Sequence, residues 1–246
     1  MTQPTIAFDI EVAGFPWEEV DEITRGYLLA RARDEKDREA VPERTGLFPG
    51  IGRIIAIGMW LVREDRGMIL LEHGSTRHER GGVEPERDWE RVPGAKIFRG
   101  EERDILEKFW ELVGPTPKTY RLPRLVSYNG RTYDGPMLLI RSAQLGVKPS
   151  RHMIPKRWEL AEHCDLMEVF NFQGTVRDSY SLEYWCRRFD IESPKGSIDG
   201  SQVARVYRSG RIDDIGEYCL RDVRATAQLY QKIEPTLLPL FQGARG

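Results

Sequence analysis

Two acidic residues stand two positions apart in an otherwise apolar run near the amino terminus, Thr5-Ile6-Ala7-Phe8-Asp9-Ile10-Glu11-Val12. The Ile, Phe and Val residues predict a buried strand. Side chains alternate along a strand, so Asp9 and Glu11 should emerge on one face, about 6.6 to 7 Å apart along the backbone. Because buried carboxylates without a counter-charge would protonate, the pair indicates either a cation site or a strand end in solvent.

A third acid follows the end of a later strand. Residues 122–128 are typical of a buried strand, and the Asn129-Gly130 pair after them predicts a turn. Asp134 then precedes an apolar pattern of helical spacing, formed by Met137, Leu138, Ile140 and Leu145. An Asp at such a junction is often an N-cap, so Asp134 taken alone favours capping over metal binding.

A fourth acid lies on the last predicted helix, residues 213–233, which has apolar residues at core-like spacing. Tyr218 and Asp222 are four positions apart, so the phenol and the carboxylate should be neighbours on one helix face. A half-buried Tyr beside a surface Asp would give the same pattern. Tyr218 and Asp222 therefore indicate a functional site only in combination with the other acids.

Taken together, these stretches resemble the three motifs of the DEDD superfamily of 3′-to-5′ exonucleases, in the subclass with Tyr in the third motif. The chain looks most like the predicted stand-alone exonucleases related to the proofreading domain of family B DNA polymerases. Two further stretches add to the resemblance, Asp165-Leu166-Met167 and Lys195-x-x-Ile198-Asp199-Gly200-Ser201. The resemblance spans residues 5–232 and misses only an insertion at residues 17–41.

This resemblance implies a metal-dependent exonuclease that hydrolyses phosphodiester bonds at a single-stranded 3′ end. It implies that two divalent ions are bound by four carboxylates, Asp9, Glu11, Asp134 and Asp222. An all-oxygen set favours Mg²⁺ or Mn²⁺ over zinc, and two such ions can stabilise the entering and leaving oxygens of an in-line displacement. Tyr218, with an ordinary pKa of about 10, is expected mainly to orient the attacking water. The candidates for substrate contact are Ile10, Asn129 and Lys195.

Two alternatives stay open at this point. The first keeps the fold and the metals but makes the substrate RNA, although DNA is favoured. The second is a catalytically inactive module that only binds nucleic acid. The presence of all five expected residues disfavours the inactive module.

The elements around these residues predict a mixed α/β plan of the ribonuclease-H kind, with a mixed central sheet flanked by helices in a single domain over residues 1–246. Residues 53–62 and 67–72 should pair as a hairpin, which makes a meander with the first strand. Residues 74–94 are predicted to be a loop, and residues 17–41 a long surface helix inserted after the first strand. Further helices are expected at residues 101–113, 181–189 and 201–207.

Charge and cysteine content narrow the class of protein. The net charge is −2, but residues 115–211 carry 16 Lys and Arg against 10 Asp and Glu, so a locally positive face is expected there. Residues 148–157 hold five potential cations that fit either a phosphate contact or an exposed loop. No apolar run is long enough for a membrane span and no secretion signal is present, so we expect a cytoplasmic protein. The three cysteines have no zinc or disulfide spacing, and we expect them to be reduced thiols.

Overall fold

The computed structural model describes residues 3–74, 82–115, 122–156, 159–193, 198 and 200–242. Within these residues, the strands are β1 (Thr5–Gly14), β2 (Gly52–Leu61), β3 (Arg66–Glu72), β4 (Glu84–Asp88), β5 (Ala95–Gly100), β6 (Arg124–Ser127) and β7 (His163–Asp165). They form one sheet in the order β4-β5-β3-β2-β1-β6-β7.

The sheet is mixed. β1, β2 and β3 form the predicted antiparallel meander, whereas β6 runs parallel to β1 and β7 parallel to β6. On the other side, β5 runs parallel to β3 and β4 antiparallel to β5. The predicted α/β class, a ribonuclease-H-like mixed sheet flanked by helices, is confirmed.

The helices are α1 (Glu22–Ala30), α2 (Glu35–Ala40), α3 (Glu102–Val113), α4 (Asp134–Gln144), α5 (Leu166–Phe170), α6 (Leu182–Arg188), α7 (Val203–Arg208), α8 (Ile212–Ile233) and α9 (Leu238–Gln242). None of the helices described is both long and apolar enough to cross a membrane. α8 packs on β1, β2 and β3. α3 and α4 contribute apolar side chains to a separate cluster on the opposite face of the sheet.

Successive side chains of β1 point alternately into the two apolar clusters, one on each face of the sheet. Ile6, Phe8, Ile10 and Val12 pack with α3 and α4, whereas Ala7 and Ala13 pack with α8. Because Asp9 and Glu11 share the odd positions of the strand with these two alanines, their side chains lie on the α8 face. The strand thus presents its acids to the longest helix.

The insertion differs from its prediction. Residues 17–41 form no single long helix but two short ones, α1 and α2, flanked by 3-10 turns at Trp17–Glu19 and Val41–Leu47. The separation has a local cause, because the Asp34 side chain accepts a hydrogen bond from the N–H of Asp37 and so begins a new helix. Apolar residues of this stretch at helical spacing do not share a buried face, since Ile23 is 86% exposed and Tyr27 is 60% exposed.

The predicted loop over residues 74–94 is wrong for residues 84–88, which form β4. This strand is charged along its length and pairs only with β5 at the sheet edge. Charged side chains on an edge strand discourage pairing with other chains. They also remove the apolar alternation by which a strand is predicted from sequence. Residues 75–81 of the same stretch lie outside the described residues.

Candidate active site

The first two acids face α8 across a close helix-to-sheet contact. On β2, Gly58 pairs with Asp9. A Cβ atom at position 58 would lie 2.8 Å from the Sγ atom of Cys219 and 2.9 Å from a methyl group of Val223. Glycine at this position therefore lets α8 approach the sheet closely enough to place its side chains against the acids of β1.

Asp134 reaches the same place from the other side of β1. The pairing of β6 with β1 begins at Thr5 and ends at Ala7. Beyond that point, the N–H of Ile10 donates to Oδ1 of Asp134 at 3.0 Å. Asp134 is the first residue of α4 and Tyr133 is its N-cap, so the capping interpretation is wrong. The Asp134 side chain is 3% exposed and is hydrogen-bonded to the carboxyl group of Asp9. Its backbone contact and its carboxyl contact both position it at β1.

Tyr218 and Asp222 lie on one face of α8, as their spacing predicts. The Tyr218 hydroxyl donates a hydrogen bond to the Asp222 carboxylate. Both side chains are half-buried, whereas Glu11 is buried. Among the charged neighbours of Glu11, Asp222 has the largest effect on its pKa. The structure thus brings together the four carboxylates and the phenol that sequence motifs singled out.

Burial and mutual repulsion both disfavour the charged form of these acids. Burial raises the pKa of Asp9 and Glu11 well above the usual range, and neighbouring carboxylates raise both further. Burial also raises the pKa of Asp134 to about 7 and that of Asp222 to about 6. Throughout the described parts of the chain, no basic side chain forms a salt bridge with any of the four.

The donor atoms fit a hard divalent cation. One carboxylate oxygen each from Asp9 and Glu11, together with the Sγ atom of Cys219, lie within 4.8 Å of one another. Cations such as Mg²⁺ and Mn²⁺ bind oxygen ligands at about 2.0 to 2.6 Å, so the two oxygens can share one ion. The thiol is a poor ligand here, because burial and then the adjacent carboxylates raise its pKa well above 9. Cys219 instead donates to the carbonyl oxygen of Asp9 at 3.7 Å.

Sequence reasoning missed the position of Cys219, which it treated as an ordinary core thiol. A signal was available, because Cys219 follows Tyr218 directly and precedes Asp222 by three positions on the same helix. All three cysteines are buried and free, whereas the prediction of reduced thiols left their burial open.

Asp165 holds the loop that leads to Asp134. It caps α5 by accepting from the N–H groups of Met167 and Glu168. It also accepts from the N–H of Asn129 and the N–H of Arg131, each at 3.0 Å. Asn129 has a φ angle of 66°, and its amide oxygen accepts from Thr132 within its own turn. The second role of Asp165 was not predicted, because it depends on two loops meeting in space.

The candidates for substrate contact are placed as follows. The Ile10 side chain is buried in the α3 and α4 cluster and its N–H is bonded to Asp134. Asn129 is half-buried at the turn. Lys195 lies outside the described residues. In the basic stretch 148–157, Arg151 is buried and donates to two backbone carbonyls, so it supports the fold and does not face solvent.

Comparison with known proteins gives one family. The profile described as "Predicted 3'-5' exonuclease related to the exonuclease domain of PolB" matches residues 83–237. The matched region includes Asp134, Tyr218 and Asp222. Asp9 and Glu11 precede it, and the structure places them beside those three residues. A search of curated proteins found no match.

Proposed function

The chain belongs to the family of predicted 3′-5′ exonucleases related to the exonuclease domain of PolB, and we propose that it removes nucleotides from single-stranded 3′ ends by metal-dependent hydrolysis. Single-stranded DNA is the proposed substrate. The proposed ligands of two Mg²⁺ or Mn²⁺ ions are the four clustered carboxylates, Asp9, Glu11, Asp134 and Asp222.

The observation that carries this proposal is a cluster of four acids that no basic side chain of the described residues meets in a salt bridge, although the charge of Arg221 lowers the pKa of Asp222. Four acids meet, two of them deeply buried, and burial raises the pKa of every one. A structural role would require a paired basic group, because unpaired buried charge is strongly unfavourable. Among the described residues nothing offsets the charge of all four, and a bound cation would stabilise them in their ionised form at neutral pH.

The residues of the chain then have distinct tasks. Asp9, Glu11, Asp134 and Asp222 hold the ions, and the N–H of Ile10 fixes the orientation of the Asp134 carboxylate. When bound, such ions make water nucleophilic at neutral pH and neutralise charge on the phosphate that is attacked. Two ions would also favour both the attacking and the leaving oxygen.

Tyr218 has an orienting task in this proposal. Burial, Asp222 and Glu11 all raise the pKa of its phenol, so the hydroxyl stays protonated at neutral pH. A protonated hydroxyl is a poor general base but a good hydrogen-bond donor. Its proton is donated to Asp222, which directs the hydroxyl towards the carboxylates, and its oxygen can align a water molecule there by accepting a hydrogen bond from it.

Cleavage of end-labelled oligonucleotides tests the proposal. Wild type should shorten 5′-labelled single-stranded DNA from its 3′ end in Mg²⁺ or Mn²⁺ and release nucleoside monophosphates. Chelation should abolish cleavage, and a blocked 3′ end should prevent it. A matched RNA strand in the same assay decides between the two substrates.

Two Asp-to-Asn variants test the site, one at a proposed metal ligand and one as its matched control. Asp222→Asn should lack activity, whereas Asp88→Asn should keep it, because Asp88 lies on the exposed edge strand β4. Robust cleavage in excess chelator, or full activity of Asp222→Asn, would contradict the metal-dependent mechanism.

A further inference from the structure

Exposed apolar side chains concentrate in one short stretch of the sequence. Four of the eleven large hydrophobic residues that the described chain exposes lie between positions 172 and 184: Phe172, Val176, Tyr180 and Tyr184. Exposed apolar clusters of this kind mark interaction sites. Two of the four are stacked on each other, Tyr180 and Tyr184, with ring centroids 4.4 Å apart and planes 19° from parallel. We refer to these two rings as the tyrosine platform.

The tyrosine platform rests on a rigid support. The Trp185 ring lies edge-on to both tyrosines, at 85° to Tyr180 and 83° to Tyr184. Trp185 in turn stacks on Phe170 at 4.2 Å and 14°. Since Phe170 belongs to the main core cluster, the two exposed rings are fixed relative to the core. Binding to preordered rings loses little conformational entropy.

The platform adjoins the carboxylate cluster. The hydroxyl of Tyr128 donates to the carbonyl oxygen of Tyr180, and Tyr128 directly precedes the Asn129 turn that leads to Asp134. On the inner side of α6, Cys186 lies close enough to Asp222 for that carboxylate to raise its pKa, after the larger effect of burial. α6 also packs on α8. A nucleic-acid strand bound at the platform would therefore extend to the four acids.

Positive charge borders the same rings. The Arg188 guanidinium carbon lies 5.9 Å from the centroid of the Tyr184 ring, in cation–π geometry. Arg187 is exposed beside it and pairs with Glu183. Planar rings next to arginines suit nucleobases joined by phosphates, since every base has a face that stacks and every linkage carries a negative charge.

We propose that the tyrosine platform binds unpaired bases of the strand whose 3′ end enters the carboxylate cluster. This proposal rests on the proposed exonuclease function and adds the surface that holds single-stranded substrate. Bases in a duplex are stacked within it and do not offer their faces to the two rings. The platform therefore gives the enzyme a preference for single strands without a preference for sequence.

The test is the affinity of the full-length protein for a fluorescent single-stranded oligonucleotide, measured by anisotropy in chelator so that no cleavage occurs. Tyr180→Ala and Tyr184→Ala should each weaken binding by roughly 5- to 150-fold, which is a base-stacking energy of about 1 to 3 kcal/mol converted to affinity. Tyr184→Trp should restore binding, and Tyr184→Leu should not, although leucine keeps the apolar bulk.

Tyr27→Ala is the matched control and should bind like wild type. Tyr27 is an exposed tyrosine on α1 with an arginine four positions later, Arg31, whose guanidinium carbon lies 5.4 Å from the ring centroid. In cleavage assays, the platform variants should raise KM and leave kcat within about twofold, because neither ring is placed among the carboxylates. Wild type should bind an oligonucleotide that carries abasic units more weakly than the intact oligonucleotide. The platform variants should bind the two oligonucleotides with nearly equal affinity.

The outcomes separate the two proposals. A wild type that binds single strands but cleaves none in Mg²⁺ or Mn²⁺ overturns the exonuclease function and not the platform. Folded platform variants that bind as tightly as wild type overturn the platform alone, and would indicate a protein partner for this face. A wild type that binds no single strand overturns both.

Discussion

Replacement of Asp134 by Asn should stabilise the metal-free protein at neutral pH. Burial raises the pKa of Asp134 from its ordinary 3.8 to about 7. Between those two pH values the folded state holds a proton that the unfolded state has released. The free energy of unfolding of the metal-free protein therefore falls as pH rises from about 4 to about 7. Asparagine carries no charge and removes this fall.

The magnitude follows from the size of the shift. About 3 pKa units at 1.36 kcal/mol each correspond to about 4 kcal/mol, which is an upper value because Asp9 shares the proton. Asparagine keeps an oxygen for the N–H of Ile10, which bonds to Oδ1 of Asp134 at 3.0 Å. Alanine would leave that buried N–H without a partner, at about 1 to 3 kcal/mol. Asp134→Ala should therefore be less stable than Asp134→Asn at every pH.

Urea unfolding in chelator at pH 5 and pH 8 measures both effects. We expect Asp134→Asn to exceed wild type at pH 8 and to approach it at pH 5. Added Mn²⁺ should reverse the order at pH 8, because wild type gains more from the ion. An Asn variant less stable than wild type at pH 8 in chelator would refute the reasoning, since it would mean that the Asp134 charge is compensated within the protein.

Three further substitutions test the positioning of the site. Tyr218→Phe should lower the single-turnover cleavage rate by less than about 10²-fold if the hydroxyl orients water and by up to about 10⁴-fold if it is a general base; an unchanged rate would make Tyr218 a packing residue only. Gly58→Ala should lower both activity and, by about 1 to 3 kcal/mol, the free energy of urea unfolding, because a Cβ would meet Cys219 at 2.8 Å. Gly82→Ala, with no atom within 4 Å of its Cβ, is the control, and equal behaviour of the two would contradict the close contact of α8. Asp165→Ala should lower the free energy of unfolding by roughly 3 kcal/mol or more, because four backbone N–H groups lose their acceptor; stability within about 0.5 kcal/mol of wild type in urea would rule out this role.

Local periodicity predicted much of this molecule. Strand alternation placed Asp9 and Glu11 on one face, and the four-residue spacing placed Tyr218 beside Asp222. These inferences succeeded because each depends only on the geometry of one element. The insertion was harder, since the helix start at Asp34 interrupts a pattern that otherwise looks continuous.

Contacts between distant parts of the chain were beyond such reasoning. Asp134 looked like a cap because it stands at the start of a helix. Its bond to the N–H of Ile10, 124 positions earlier, is not visible in the local sequence. Cys219 lies beside the acids because Gly58 lets α8 approach the sheet. Asp165 accepts hydrogen bonds from the N–H groups of Asn129 and Arg131, more than 30 positions earlier in the sequence. Each depends on tertiary packing that no local pattern encodes.

Direct measurement of Mn²⁺ binding tests the central claim, that the carboxylate cluster is a divalent-cation site. Metal-free protein titrated with Mn²⁺ in a calorimeter should bind two ions per chain, with proton release that increases below about pH 7 as the protonated carboxyl groups ionise. Asp9→Asn should lose this binding and Asp88→Asn should keep it. Absence of binding by wild type, or equal binding by wild type and Asp9→Asn, would contradict the claim.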